Sequence, residues 1–217
     1  MRMYNPEWEA VKDLVFTPKV LDLHYDLVSG EIPEDHGFAL YRELLRHLPW
    51  LADAPGAAIH PVHGAPSGRN ANLVINRRVK LVLRLPIDRL EAARALVGEQ
   101  IDPGAGPLRI GALKEKNLTP FGTLYSHFVT QGDLDESTLL IEVRRQLDEM
   151  GIQCGLIAGM QRKMHTPDGE ISGHTLMLHD LSLVHSLTVQ EQGLGLHRLW
   201  GCGIFVPHKS IKEVATV

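Results

Sequence analysis

Two kinds of residue in this sequence have the spacing to do chemistry: histidines beside chain reversals, and glycines grouped with arginine. His36 follows Pro33, Glu34 and Asp35, just before an apolar stripe of helical spacing (Phe38, Leu40, Tyr41, Leu44, Leu45, Leu48) that Pro49 ends. Histidine titrates near neutrality and can take or give a proton, and a helix N-terminus favours a phosphate nearby. His47, on the same stretch, is the runner-up for that role. Tyr41 falls off the helical face of His36 and reads as core. His60 and His63 form an HxxH pair around Pro61. Imidazole is a common zinc ligand, but alternation puts residues three apart on opposite faces of a strand. No neighbouring carboxylate or cysteine completes a set, so no metal and no cofactor is expected.

Residues 193–203 read GLGLHRLWGCG. Glycines let a backbone approach a partner closely and present its N–H groups, which suits phosphate. Gly193, Gly195, Gly201, Gly203 and Arg198 are therefore candidate contacts to an anionic partner. The run is neither a GxxxxGK[ST] loop nor a Rossmann turn, because it follows a helical stretch and precedes an extended one. Trp200 within it is read as core rather than as a stacking platform.

The net charge of −4 runs against a nucleic-acid binder. The distribution answers in part. Residues 54–87 contain no acid but carry Arg77, Arg78, Lys80 and Arg84, and the acid-free stretch 151–167 carries Arg162 and Lys163. Lys80 and Arg84 share strand parity, so they would lie on one face. From charge alone these are solvated strand faces.

The elements that must position these residues are legible as periodicities. Residues 20–28 (VLDLHYDLV) and 79–85 (VKLVLRL) alternate as strands, with short extended pieces at 59–62 and 73–75. Asp88 with Glu91 reads as a capping box for a helix running to Gly98, and 108–113 as a strand. The order then repeats. Strands are expected at 123–130, 152–164 and 171–181, a helix at 139–150 after Asp135, a second started by Thr188 and Glu191, and a last apolar piece at 203–206. Each half is βαββαβ, so the fold class is α+β with tandem ferredoxin-like (RRM-like) halves. The expected domains are 1–115 and 116–217, the second holding the glycine-rich run.

A glycine-rich run before the last strand of such a tandem resembles the CRISPR repeat-processing endoribonucleases of type I systems. The subtype first named after myxobacteria is the nearest in pattern. The stretches that carry the resemblance are 35–41 (DHGFALY), 59–64 (IHPVHG), 83–86 (LRLP), 144–147 (RRQL) and 193–207. It implies a metal-independent endoribonuclease that cuts precursor CRISPR RNA within each repeat. The 2′-hydroxyl attacks the phosphate, leaving a 2′,3′-cyclic phosphate and a 5′-hydroxyl. It implies His36 as the catalytic histidine, and RNA contacts from Arg77, Arg78, Lys80, Arg84, Arg162, Lys163 and the glycine-rich run. It also implies CRISPR repeat RNA as partner, with other subunits of a type I effector complex. A non-catalytic RNA-binding subunit is the alternative. A two-histidine phosphoesterase is disfavoured, because that class needs two HxT or HxS motifs and the sequence holds one, His208-Lys209-Ser210.

Two distant cysteines, Cys154 and Cys202, make no disulfide framework, and no apolar run reaches membrane-spanning length. The N-terminal charge layout is not that of a secretory signal. A cytoplasmic setting without membrane contact is expected.

Overall fold

The computed structural model describes residues 17–208 except Ser29, Arg69 and Asp133. The N-terminal stretch read above for its charge layout lies outside these residues. Strand β1 (Val20–Leu27) turns Leu23, Tyr25 and Leu27 into a core and Asp22, His24 and Asp26 to the other face, as its alternation requires. It pairs antiparallel with β6 (Lys80–Pro86) and β8 (Leu108–Lys116), and β3 (Ala58–Ile59) and β7 (Gln100–Ile101) extend the edges. The sheet order is β3-β6-β1-β8-β7. Counting only the strands of the βαββαβ unit, that is second, third, first, fourth, the ferredoxin-like order.

Helix α1 (Gly37–His47) buries Leu40 and Leu44 against this sheet. Each buried leucine stabilises by about 2 kcal/mol. The second helix is broken. Only α2 (Leu90–Ala93) is α-helical, between 3₁₀ turns at Ile87–Arg89 and Arg94–Leu96. The expected capping box does not form: no side chain caps these turns, and Glu91 bonds Arg94 at 2.9 Å instead. Tyr25 donates its hydroxyl to Ala93 O at 2.8 Å and ties the broken helix to the sheet.

The second half repeats the pattern with β9 (Leu124–Val129), α3 (Glu136–Glu149), β10 (Gly155–Thr166), β11 (Gly169–His179), α4 (Leu183–Gln192) and β12 (Val206–Pro207), in the order β10-β11-β9-β12. Asp135 caps α3 by accepting from Thr138 N. Ser182 caps α4, which begins before the expected Thr188. Thr188 is mid-helix and donates to Val184 O, while Glu191 accepts from Lys19 N. A separate small sheet, β2 (Gly30–Pro33), β5 (Asn72–Ile75) and β4 (Ala65–Pro66), flanks the entry to α1. No helix among the described residues is long and apolar enough to cross a membrane.

Arg84 joins the halves. It is 1% exposed, holds both carboxylate oxygens of Asp22 (2.7 and 3.0 Å), and donates to Gln190 O (2.7 Å) and Phe205 O (3.2 Å) in the second half. Burial alone would raise the pKa of Asp22. His60, 3.6 Å away, and the hydrogen-bonded Arg84 guanidinium outweigh it and hold the carboxyl well below its usual range. The expected RNA contact at Arg84 is thus corrected: shared parity with Lys80 places it on the outer sheet face, but that face is covered by the second half at this point.

Candidate active site

His36 occupies the N-cap position of α1 without a side-chain cap bond. Its ring reaches two backbone groups: Nδ1 lies 2.8 Å from Pro33 O, and Nε2 lies 2.9 Å from Val62 N. An amide can only donate, so Nε2 is the acceptor and Nδ1 carries the proton given to Pro33. The ring is neutral, and burial lowers its pKa. Neither nitrogen is left for a reacting group. Its two backbone bonds make His36 a brace between β2 and the 60–66 segment in the free protein. His47 lies at the far end of α1, about 15 Å along the axis, with Nδ1 3.6 Å from Glu99, which separates it from the groups below.

The brace fixes Val62, and the next residue, His63, lines a cleft of about 570 Å³ between the start of α1, the 59–66 segment, β9 and β10. His127 of β9 lies across from it, ring centroids 5.1 Å apart at 73°. No described residue hydrogen-bonds to either ring. Arg162 of β10 also lines the cleft; its Nε is buried without a partner, and no described carboxylate pairs with it. Burial first, and then the Arg162 charge, lowers the pKa of His63. Burial, Arg162 and His63 together push His127 down to about 4. At neutral pH the cleft therefore holds two uncharged imidazoles beside a bare guanidinium. That is an arrangement for an anion with protons to move.

Gly37 lets the start of α1 reach this cleft. A Cβ there would lie 2.3 Å from Trp200 O and 2.6 Å from Met164 Cε. Asp35 ties the same turn to the second half. Its Oδ2 accepts from the backbone N–H of His165 (2.8 Å) and lies 2.7 Å from His165 Nδ1.

The remaining expected contacts divide. Arg77 and Arg78 are exposed on the turn between β5 and β6. Lys80 pairs with Asp26 at 2.8 Å, and Lys163 with Glu170 at 2.6 Å. The four glycine amides of the 193–203 run are bonded within the fold. Gly193 N donates to Val189 O, Gly195 N to Gln146 Oε1, Gly201 N to Arg198 O and Gly203 N to Phe128 O. Its glycines serve the packing. Gly203 has φ +65°, and a Cβ there would lie 2.1 Å from Leu194 O. Arg198 lines a second, smaller cleft with Lys19 and Pro86; its Nε and Nη2 have no partner, and burial and then Arg84 lower its pKa to about 10. Trp200 meets Phe38 edge-on at 5.1 Å and stacks on His197 at 4.0 Å, so it packs onto α1 as expected.

Sequence reasoning missed His127 altogether and weighed His63 only as half of an HxxH pair. A single histidine in an alternating strand carries no signal. The acid-free stretch around Arg162 was the one hint that a cation there stands unpaired.

A tandem of ferredoxin-like halves with an unpaired cation in the cleft between them defines the class to which this chain belongs. The comparisons with known proteins narrow it. The family model described as Cas6 Crispr matches residues 21–210. The CRISPR-associated endonuclease Cas6 of Myxococcus xanthus (strain DK1622) is 32% identical over 188 residues, 86% of this chain and 81% of that one. Among solved structures, the product of a Cas6-related gene from Pyrococcus furiosus has a TM-score of 0.60 at 11% identity, covering 88% of this chain and all (100%) of that one. A RAMP protein described as binding different RNA substrates has a TM-score of 0.62 at 11% identity, covering 87% of this chain and 100% of that one. These structures share the fold. The chain belongs to the Cas6 CRISPR family, and as such is an endonuclease.

Proposed function

We propose that the chain binds CRISPR repeat RNA across the cleft and cuts precursor CRISPR RNA there without a metal. The 2′-hydroxyl beside the scissile bond attacks phosphorus, and the products carry a 2′,3′-cyclic phosphate and a 5′-hydroxyl. One observation carries this reading: the Arg162 guanidinium has no carboxylate partner and is flanked by two neutral, unengaged imidazoles. A guanidinium neutralises a developing phosphorane, and imidazoles move protons at neutral pH. The name of the Myxococcus relative supports cutting, and the family supports a CRISPR substrate.

The halves, 1–115 and 116–217, act as two domains, each contributing one wall of the cleft. Arg77 and Arg78 extend the contact to the RNA backbone, which sets affinity and its salt dependence more than sequence choice. Lys80 and Lys163 contribute by exchanging surface carboxylates for phosphates. Other subunits of a type I effector complex would meet the protein with its RNA product.

The test is incubation of the full chain with repeat RNA in excess EDTA, beside a repeat with 2′-deoxyribose at the scissile nucleotide. Cutting of the first alone, with a cyclic-phosphate end, supports the reading. Tight binding of both with no cutting replaces it with a non-catalytic RNA-binding subunit.

A further inference from the structure

We infer that His63 and His127 are the proton-transfer pair of this cleft, acting on a phosphodiester held by Arg162, and that His36 is a positioning residue acting through Val62 and His63. The inference rests on the endoribonuclease reading above and names the residues that carry it out.

Five histidines line the cleft, and their partners separate them. His36 has both nitrogens bonded to backbone. His60 is buried 3.6 Å from Asp22, within the Arg84 cluster. His165 is bonded to Asp35. His60 has no described hydrogen-bond partner either, but its Nε2 is buried against the Asp22 carboxylate; His63 and His127 are the two unbonded rings on the cleft with no described carboxylate beside them. They come from different halves of the molecule, and their rings are 5.1 Å apart. That is close enough for both to reach the oxygens of one phosphorus, given hydrogen bonds of about 2.6–3.2 Å to each. Arg162 stands beside both, close enough that its charge depresses each ring.

The chemistry balances with these groups alone. One imidazole, neutral, takes the proton of the 2′-hydroxyl as the O2′–P bond forms. The other, as imidazolium, gives its proton to O5′ as the P–O5′ bond breaks. Water then returns both rings to their starting states. Burial and then the Arg162 charge keep the free protein's rings neutral, and the phosphodiester anion beside them favours the imidazolium that serves as the acid. His36 contributes by geometry. Its acceptor bond to Val62 N holds the residue next to His63, and its donor bond to Pro33 O holds the ring itself.

The experiment uses single-turnover cutting of repeat RNA by wild type, His63→Asn and His127→Asn. A second substrate replaces the scissile O5′ with sulfur, which leaves without a proton. The 2′-deoxy repeat measures binding, and thermal melting checks folding. Each variant should slow cutting of the natural RNA by about 100-fold or more, while melting and affinity for the 2′-deoxy repeat stay unchanged. The sulfur substrate should restore fast cutting to one variant, the one lacking the acid, and not to the other. Natural-RNA rates near wild type in either variant overturn the pair. So does a loss that follows affinity or melting, or one that sulfur rescues in neither. A wild type that leaves the RNA whole overturns the endoribonuclease reading, and the pair with it, so the two failures are told apart.

Discussion

The imidazole of His36 and the backbone amide of Val62 lie 2.9 Å apart, and with the 2.8 Å contact to Pro33 O they use both ring nitrogens of a histidine at a helix start. A ring so held positions Val62, and would have to give up one of these bonds to exchange a proton with a substrate. A glutamine keeps an acceptor for the Val62 amide; an alanine leaves that buried donor unpaired, at a cost of about 1–3 kcal/mol. His36→Gln should therefore retain much of the cutting rate and melt close to wild type, whereas His36→Ala loses both in parallel. Single-turnover rates beside thermal melts check this. A His36→Gln variant that folds fully and cuts no better than His36→Ala would return the proton-transfer role to His36.

Arg84 gives the opposite contrast between sequence position and role. Removing it leaves Asp22 in a buried site without its cation, which costs about 3–5 kcal/mol. Arg84→Ala should lower the melting temperature sharply, and Asp22→Leu with Arg84→Met should recover much of the loss. The salt dependence of RNA binding by the folded variant should match wild type, because the guanidinium is sealed between the halves. Denaturation curves and binding titrations over a salt series make the measurement.

Arg162 and Lys163 are adjacent cations with different predicted effects. Arg162 has no carboxylate partner in the cleft, and Lys163 is held by Glu170 at 2.6 Å. Arg162→Ala should slow cutting by about 100-fold or more, as loss of a transition-state charge does, and reduce the slope of log affinity against log salt by about 1. Lys163→Gln should change the cutting rate little.

The histidines set a pH window. Burial lowers the pKa of His36, His60 and His63, and burial with Arg162 and His63 brings His127 down to about 4. Unfolded histidines titrate near about 6.5, so below that pH the unfolded chain binds protons that the folded chain refuses. Stability should fall as the pH drops from about 6.5 towards 4, through the folded values. The melting temperature measured between pH 7.5 and 4.5 follows it. A phosphate beside Arg162 opposes the shift, so RNA binding takes up protons and tightens from pH 7.5 to 6. The double variant His63→Asn, His127→Asn should lose that tightening.

The fold was legible because it rests on periodicity. The alternation of 20–28 and 79–85, the stripe from Phe38 to Leu48 and the repeated element order all survive in the structure. The site was less so, because its geometry depends on partners far away in sequence. The sequence places His36 at a helix start but gives no sign that Pro33 O and Val62 N take its nitrogens. Arg84 looks solvent-facing until Gln190 and Phe205 cover it. The glycines of 193–203 look like a phosphate cradle until their amides are traced to Val189, Gln146, Arg198 and Phe128. His127 is brought to His63 only by the docking of two halves, and no local pattern encodes that.

The most direct test of the account is a crystal structure of the full chain with its repeat RNA carrying 2′-deoxyribose at the cut site. The account predicts the scissile phosphate on the Arg162 guanidinium, with His63 and His127 within hydrogen-bonding distance of its O2′ position and O5′, and His36 still bonded to Pro33 and Val62. A scissile phosphate seated elsewhere, at His47 or at Arg198, or on a His36 ring swung free of its backbone partners, would contradict it.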